Sequence, residues 1–170
     1  MKQSAGLLLF KRTGSEIQVL IVHPGGPFWS KKDIGVWSIP KGEFEVGEEP
    51  IAVAYREFEE ELGSPAPKGD TIDLGSVKQS SEKMVYAWAL DADIDVSNVS
   101  SNLINIEWPP KSGKQIEIAE VDKAAWVDLK TAREKLVKGQ TPLIDVLAKY
   151  LDINLDCIES VPEQKNSFLK

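Results

Sequence analysis

The stretch from Pro50 to Gly63 leaves the backbone little choice. Proline is tolerated in a helix only within the first turn, where its missing N–H has no partner to lose, and glycine is the usual residue just past a helix end. Between them Ile51, Ala54, Tyr55, Phe58 and Leu62 recur at spacings of 3, 1, 3 and 4, the apolar stripe of a helix packed on a core. The spacing predicts a helix over 50–62. Glu57, Glu60 and Glu61, at i, i+3 and i+4, share one face of it, expected to one side of the apolar stripe, and Glu48 stands just ahead. Like charges held that close cost free energy unless something offsets them. Their hard oxygens suit Mg²⁺, with Mn²⁺ as an alternative. Mg²⁺ commonly takes one or two carboxylates and leaves its other positions to water and phosphate. An acidic helix face is more often plain solvated surface, and spacing alone does not decide between the two.

The charge distribution sharpens the question. The net charge is −7, and residues 43–61 hold eight glutamates against the single base Arg56. Outside that segment acids and bases balance at nineteen each. No basic footprint for duplex nucleic acid exists, whereas a local pile of carboxylates invites a divalent cation. With 42% hydrophobic and 28% charged residues in 170, a core can form without disulfides or structural metal. Cys157 is alone, so no intrachain disulfide is possible. The apolar run Ala5 to Phe10 is too short for a secretory or membrane segment and reads as a buried strand, so the expected compartment is the cytoplasm.

Residues 4–10 and 17–23 are β-rich runs around the turn-like Thr13-Gly14-Ser15 and predict a hairpin or neighbouring strands. A loop over 24–35, a short strand Val36 to Ile39 stopped by Pro40, and a second loop from Gly42 to Gly47 lead into the helix. Strands are expected over 71–79, 83–90 and 124–128, with a long irregular connection over 91–115, where Pro109-Pro110 and Gly113 interrupt the chain. Helical patterns follow over 130–138 and 142–151. Mixed strands with a mid-chain helix and C-terminal helices imply an α/β fold, one domain over 1–153 with a weakly packed tail over 154–170.

Residues 42–63, GEFEVGEEPIAVAYREFEEELG, resemble the Nudix box, G-x5-E-x7-R-E-U-x-E-E-x-G-U with U apolar. Gly42, Glu48, Arg56, Glu57, Glu60, Glu61 and Gly63 stand at the fixed places and Phe58 at the first U. Ser64 at the final U is the one departure, and it touches no ligand position. The resemblance implies an α/β/α sandwich with a mixed sheet, in which Glu57, Glu60 and Glu61 bind divalent cations and Arg56 orients them by ion pairing. It also implies the reaction: attack of water on a phosphorus of a nucleoside diphosphate linked to another group. WSIPKGE (37–43) and EVDKAAW (120–126) are similar to segments of the branch that includes diadenosine tetraphosphate hydrolases. That similarity points to Glu120 as a further metal ligand or general base, against a reading as an exposed loop acid.

Polyphosphate needs cations besides the metal, and Lys41, next to Gly42, is the leading candidate; Lys31, Lys32, Lys83, Lys111 and Lys114 are weaker ones. A base needs a flat apolar partner. Tyr86 and Trp88 share one strand face, and the resemblance puts that strand near the cleft, although two core aromatics would show the same pattern. Trp29, Trp37 and Trp108 sit in or beside loop-like contexts. His23, at a strand end beside Pro24, reads as structural. A zinc site, a Ser-His-Asp triad and a P-loop are not supported. The expected substrate is a dinucleoside polyphosphate. Alternatives are a nucleoside triphosphate cut to monophosphate and pyrophosphate, an ADP-ribose-type compound, or a non-catalytic nucleotide-binding module.

Overall fold

A computed structural model describes residues 1–157. The two N-terminal runs form β1 (Lys2–Thr13) and β2 (Glu16–Pro24), an antiparallel pair joined at Gly14. Then come β3 (Lys41–Phe44), α1 (Pro50–Leu62), β4 (Thr71–Ser80) and β5 (Lys83–Asp91). The chain continues through β6 (Leu103–Glu107), β7 (Gln115–Ala119), β8 (Val121–Asp128), α2 (Leu129–Lys135) and α3 (Thr141–Tyr150).

The main sheet has six strands in the order β4-β5-β1-β2-β8, with β3 added to the N-terminal half of β1. β1 and β5 run parallel and the other pairs antiparallel, so the sheet is mixed. β1 is covered on both faces, which is why Leu7-Leu8-Leu9 reads as an unbroken apolar run. Ala5, Leu7 and Leu9 meet Val53, Ala54, Phe58 and Leu62 of α1. Leu8 and Phe10 meet Leu129, Leu143, Ile144 and Leu147 on the other face. Each leucine buried this way contributes about 1.5–3 kcal/mol. The expected α/β/α sandwich is the observed architecture.

The helix ends follow their residues. Pro50 occupies the first turn of α1, and Gly63 closes it in the left-handed conformation at φ 81°, its N–H donating to the Glu59 carbonyl at 2.8 Å. Asp128 caps α2 by accepting from the Thr131 N–H at 2.7 Å.

Two departures bear on function. The expected strand over 36–39 is reduced to single bridges, Ser38 to Val22 and Trp37 to Leu136, and pairing begins only after Pro40. Residues 41–44, in part expected as loop, form β3 because the edge of β1 offers them unpaired backbone groups. Gly6 makes the approach possible: a Cβ there would lie 2.6 Å from the Pro40 oxygen, and the Leu7 N–H donates to that oxygen at 3.1 Å.

The second departure is larger. The supposed connection over 91–115 contains β6, which pairs with β7 as a separate two-stranded sheet. Pro109 and Gly113 do not abolish regular structure; they build its turn. The Trp108 N–H donates to the Lys114 carbonyl at 2.9 Å, with Lys111 at φ 60° and Gly113 at φ 73°. At the other end of the chain, Ile153 and Leu155 still pack against the α3 side of the core. The remainder of the expected tail, 158–170, lies outside the described residues. Among the described residues no helix is long and apolar enough to cross a membrane.

Candidate active site

Around α1, at about 100° per residue, the angular order is Val53, Glu57, Glu61, Ala54, Phe58, Leu62. Val53, Ala54, Phe58, Glu61 and Leu62 are buried, so Glu61 lies within the apolar arc rather than beside it. Ile51 and Tyr55, expected in the stripe, are only half-buried. Contacts with β3 account for the roll of the helix. The Lys41 N–H donates to Glu61 Oε2 at 3.2 Å. Gly42 makes room for Glu57, because a Cβ at that position would stand 1.9 Å from the Glu57 carboxyl carbon. The Lys-Gly pair therefore receives two of the three glutamates through its backbone.

Burial sets the electrostatics. Glu61 is 4% exposed, and loss of water pushes its carboxyl up to about 8. Lys41 pulls the other way, and the charges of Glu120 and Glu57 add to the rise. Burial also raises Glu57, helped by Glu60 and opposed by Arg56. Glu60 stays largely in solvent. Arg56 fans over three carboxylates, 3.0 Å from Glu48 Oε1, 3.5 Å from Glu57 Oε1 and 4.0 Å from Glu60 Oε1. Glu48 also accepts from the Glu45 N–H at 2.9 Å; that bond and Arg56 hold it below the usual carboxylate range. It thereby ties the loop before α1 to the helix.

Glu120 comes from far along the chain and is set by backbone. Asn102 donates its N–H to the Glu60 carbonyl at 2.8 Å and accepts the Glu120 N–H at 3.1 Å. Ser101 Oγ accepts the Val121 N–H at 3.0 Å. The Glu120 carbonyl accepts the Gly25 N–H at 3.0 Å. Residues 101–102 thus strap the end of α1 to the turn between β7 and β8.

Lys41, Glu61 and Glu120 open onto a cleft of about 290 Å³. Its remaining side chains are mainly apolar, among them Phe28, Trp29, Ile104, Ile106 and Ile118. Tyr86 and Trp88 do not line it. They lie on β5, separated from β3 by β1, where Tyr86 meets the Phe44 ring edge-on and Trp88 packs into the α1-side core. Lys83 is held 3.6 Å from Glu43, and Lys32 sits 3.7 Å from the Phe28 ring centroid. Lys31, Lys111 and Lys114 are exposed. His23 is fully buried, with Nδ1 2.8 Å from Asp122 and Nε2 2.7 Å from the Lys32 carbonyl, as its structural reading requires.

The donors at this end of the cleft are hard oxygens, and Glu61 has no ion-pair partner among the described residues, only the Lys41 N–H. A carboxylate so placed fits a divalent cation, whose charge would offset the cost of ionising it. Among the described residues no three acids, histidines or cysteines form a ready-made cage. Mg²⁺ does not need one, since waters and phosphate oxygens complete its shell.

The apolar wall is what the sequence reading missed. Its signal was present: in Ile104-Asn105-Ile106 and Ile116-Glu117-Ile118 apolar and polar residues alternate on either side of a Pro- and Gly-containing turn.

Residues 2–147 match the NUDIX domain family. An octanoyltransferase of Myxococcus xanthus is 30% identical over 134 residues, 79% of this chain. The chain spans only about a third (33%) of that curated relative's length. Among solved structures, a C. elegans Ap4A hydrolase in a binary complex superposes with a TM-score of 0.59 at 19% identity, covering 89% of this chain and 98% of that one. The NUDIX domain of Shewanella oneidensis NrtR, complexed with ADP ribose, gives 0.58 at 17% identity over 88% and 87%. A MutT protein from Methanosarcina mazei Go1 gives 0.56 at 19% identity over 88% and 94%. At those identities the likeness establishes the fold. With the family match over most of its length and every fixed residue of the box in place, the chain belongs to the NUDIX family.

Proposed function

We propose that the chain cleaves a phosphoanhydride bond in a nucleoside diphosphate linked to a second group, and that it needs Mg²⁺, replaceable by Mn²⁺. The observation that carries this is the buried Glu61, beside Glu57 and within the field of Glu120, opening onto a cleft that also presents Lys41. Glu57, Glu60, Glu61 and Glu120 would hold the cation. When bound, it supplies charge withdrawal from phosphoryl oxygens and makes an attacking water more acidic. Arg56, braced by Glu48, keeps Glu57 and Glu60 in register. Lys41 balances the non-bridging phosphate oxygens. Glu120 takes the proton of the attacking water as a P–O bond forms and the bridging P–O bond breaks. The base-stacking role considered for Tyr86 and Trp88 loses support from their position on β5.

A dinucleoside polyphosphate is the leading substrate, supported by WSIPKGE and EVDKAAW. The C. elegans hydrolase named for such a substrate has the same fold. The size of the cleft favours a second reading, hydrolysis of a nucleoside triphosphate, because about 290 Å³ lies at the low end of ligand pockets and suits a single nucleoside moiety. An ADP-ribose-type compound ranks third. A non-catalytic nucleotide-binding module ranks below all of these, because it has no need of the metal carboxylates and the box retains every one.

The test is a panel of diadenosine tetraphosphate, the nucleoside triphosphates and ADP-ribose with Mg²⁺, read by product identity. ATP released from diadenosine tetraphosphate supports the leader; a monophosphate with pyrophosphate from a triphosphate supports the second reading. Glu57→Gln is expected to lower turnover by orders of magnitude with the fold intact. Wild-type rates in that variant would refute the assignment.

A further inference from the structure

The segment that leads into Lys41 and Gly42 is held from behind by the other end of the chain. Ser38 turns both backbone groups to Val22 of β2, at 2.8 and 3.0 Å, so Trp37 and Ile39 turn theirs the opposite way. On that side Trp37 forms a parallel ladder with the end of α2 and the link beyond it. Its N–H donates to the Lys135 carbonyl at 3.0 Å, and its carbonyl accepts the Val137 N–H at 2.8 Å. The next rung of such a ladder would run from the Ile39 N–H to the Val137 carbonyl. That carbonyl is already taken. The chain tightens there into the single 3₁₀ turn Lys138–Gln140, and the Gln140 N–H donates to it at 2.9 Å. The side chain of the same residue supplies the missing acceptor. Gln140 Oε1 accepts the Ile39 N–H at 2.9 Å, across 101 residues of sequence.

The direction of this amide follows from chemistry, because the Ile39 N–H needs an oxygen. Nε2 then donates to Ser38 Oγ at 3.0 Å and to Gln79 Oε1 of β4 at 2.8 Å. Ser38 Oγ in turn donates to the Ile39 carbonyl at 2.7 Å. Gly139 allows the turn to approach β4, since a Cβ there would lie 2.3 Å from the Gln79 carbonyl oxygen. Gln140 is fully buried, and a buried amide is costly unless its polar atoms are paired. With its oxygen and nitrogen both engaged, it acts as a three-way bracket on Ser38, Ile39 and Gln79.

What the bracket grips is a stiff lever. The residue before a proline is confined to extended backbone, and the ring fixes φ at Pro40. Little slack is left between the Ile39 N–H and the Lys41 N–H, which donates to Glu61 Oε2 at 3.2 Å. Gly42 follows directly, with Glu57 lying where its Cβ would stand. We propose that Gln140 is a positioning residue for the cation site: its amide sets the placement of 39–41, and so the meeting of the Lys41-Gly42 backbone with Glu61 and Glu57. The inference rests on the reading of those glutamates as cation ligands, and it extends their support to the turn between α2 and α3.

The experiment is titration of the full chain with Mn²⁺ in the absence of substrate, read by the electron paramagnetic resonance of the free ion, with turnover measured alongside. Gln140→Met keeps the length of the side chain and loses its hydrogen bonds. Gln140→Glu keeps an acceptor for Ile39, and the Gln79 amide, turned over, can donate to it. Leu147→Ala is the control, because it opens a cavity in the α3-side core without touching the network. Circular dichroism sets a temperature at which every variant is folded. Removing a group that orients metal ligands from outside costs about 10- to 100-fold in metal affinity. Gln140→Met should therefore weaken Mn²⁺ binding and lower kcat by about tenfold or more each, with KM changed by less than about threefold. Gln140→Glu should recover most of the affinity, and Leu147→Ala should bind as the wild type does even with a lower melting temperature. If Gln140→Met does not fold, Gln79→Met on the edge strand β4 removes an acceptor of the same Nε2 and should weaken binding by about threefold or more.

The proposal is overturned by a folded Gln140→Met, or in its place Gln79→Met, that binds Mn²⁺ as the wild type does. A Gln140→Glu no better than Gln140→Met, or a Leu147→Ala that weakens binding as much, would also overturn it. A wild-type chain that binds no Mn²⁺ overturns it together with the metal reading. Binding that responds to Gln140 without any turnover leaves the positioning role standing and removes only the enzymatic reading.

Discussion

Glu61 is a carboxylate surrounded by side chains that offer it almost nothing. A buried acid with a single backbone hydrogen bond is costly to ionise, which is the physical content of its rise to about 8. The folded chain keeps this proton until about pH 8, whereas an unfolded chain releases it near 4.5. Between those values the folded state binds more protons, so without metal its stability falls as pH rises through that window. Thermal melts in chelator should show this decline, and Glu61→Gln should flatten it while lowering turnover by at least a hundredfold. A variant that keeps the wild-type slope would place the cost elsewhere. Gly42→Ala tests the neighbouring contact. Its Cβ has no space beside Glu57, so the carboxylate must move, and a hundredfold or greater loss of kcat is expected with a much smaller change in melting temperature. The inward turn of Glu61 was not legible in the sequence. A helical wheel gives angular order but not roll, and roll is set here by Lys41 and Gly42, some twenty residues upstream.

At the scale of elements, α1 is held at its C-terminal end by another strand of chain. Gly63 adopts φ 81°, and a Cβ there would stand 2.5 Å from the Ser100 oxygen. Gly63→Ala therefore meets both a conformational penalty and a clash, and should destabilise the fold by about 1–3 kcal/mol in denaturant titration. Because Asn102 links the same helix end to Glu120, turnover should fall further than the loss of folded protein explains. β1, β2, β4, β5 and α1 were all visible in the sequence, since their apolar periods are long and their ends carry proline, glycine or turn residues. β3 and β6 were not. Residues 41–44 are too short and polar to signal a strand, and exist as one because β1 has a free edge. In β6, Pro109-Pro110 drew attention away from the alternation that precedes them. The pairing of Tyr86 with Trp88 was correctly read as a shared face, but strand parity does not say what that face covers.

For the whole molecule, the charge imbalance predicts how metal and folding are coupled. All of the net −7 traces to the segment 43–61, part of which is buried, so a divalent cation should stabilise the native chain strongly. Protons and the cation compete for the same oxygens, and the gain in melting temperature from Mg²⁺ should be larger at pH 8.5 than at pH 6. Equal gains at both would indicate that binding occurs away from the buried acids. The segments that carry this chemistry, 37–43 and 42–63, are contiguous and rule-bound, which made them readable from one sequence. The apolar wall of the cleft is assembled from residues 75 to 90 positions apart, and only the folded chain brings them together.

The isoleucines of that wall belong to a two-stranded ribbon whose backbone ladder is closed on itself and shares no strand pairing with the central sheet. Its far turn, over 108–114, can therefore drift, be exchanged or be redesigned without disturbing the strands on which the box helix rests. The tip of the ribbon and the carboxylate end of the cleft are thus mechanically separable, while the base of the ribbon is bound through Asn102 to both Glu120 and α1.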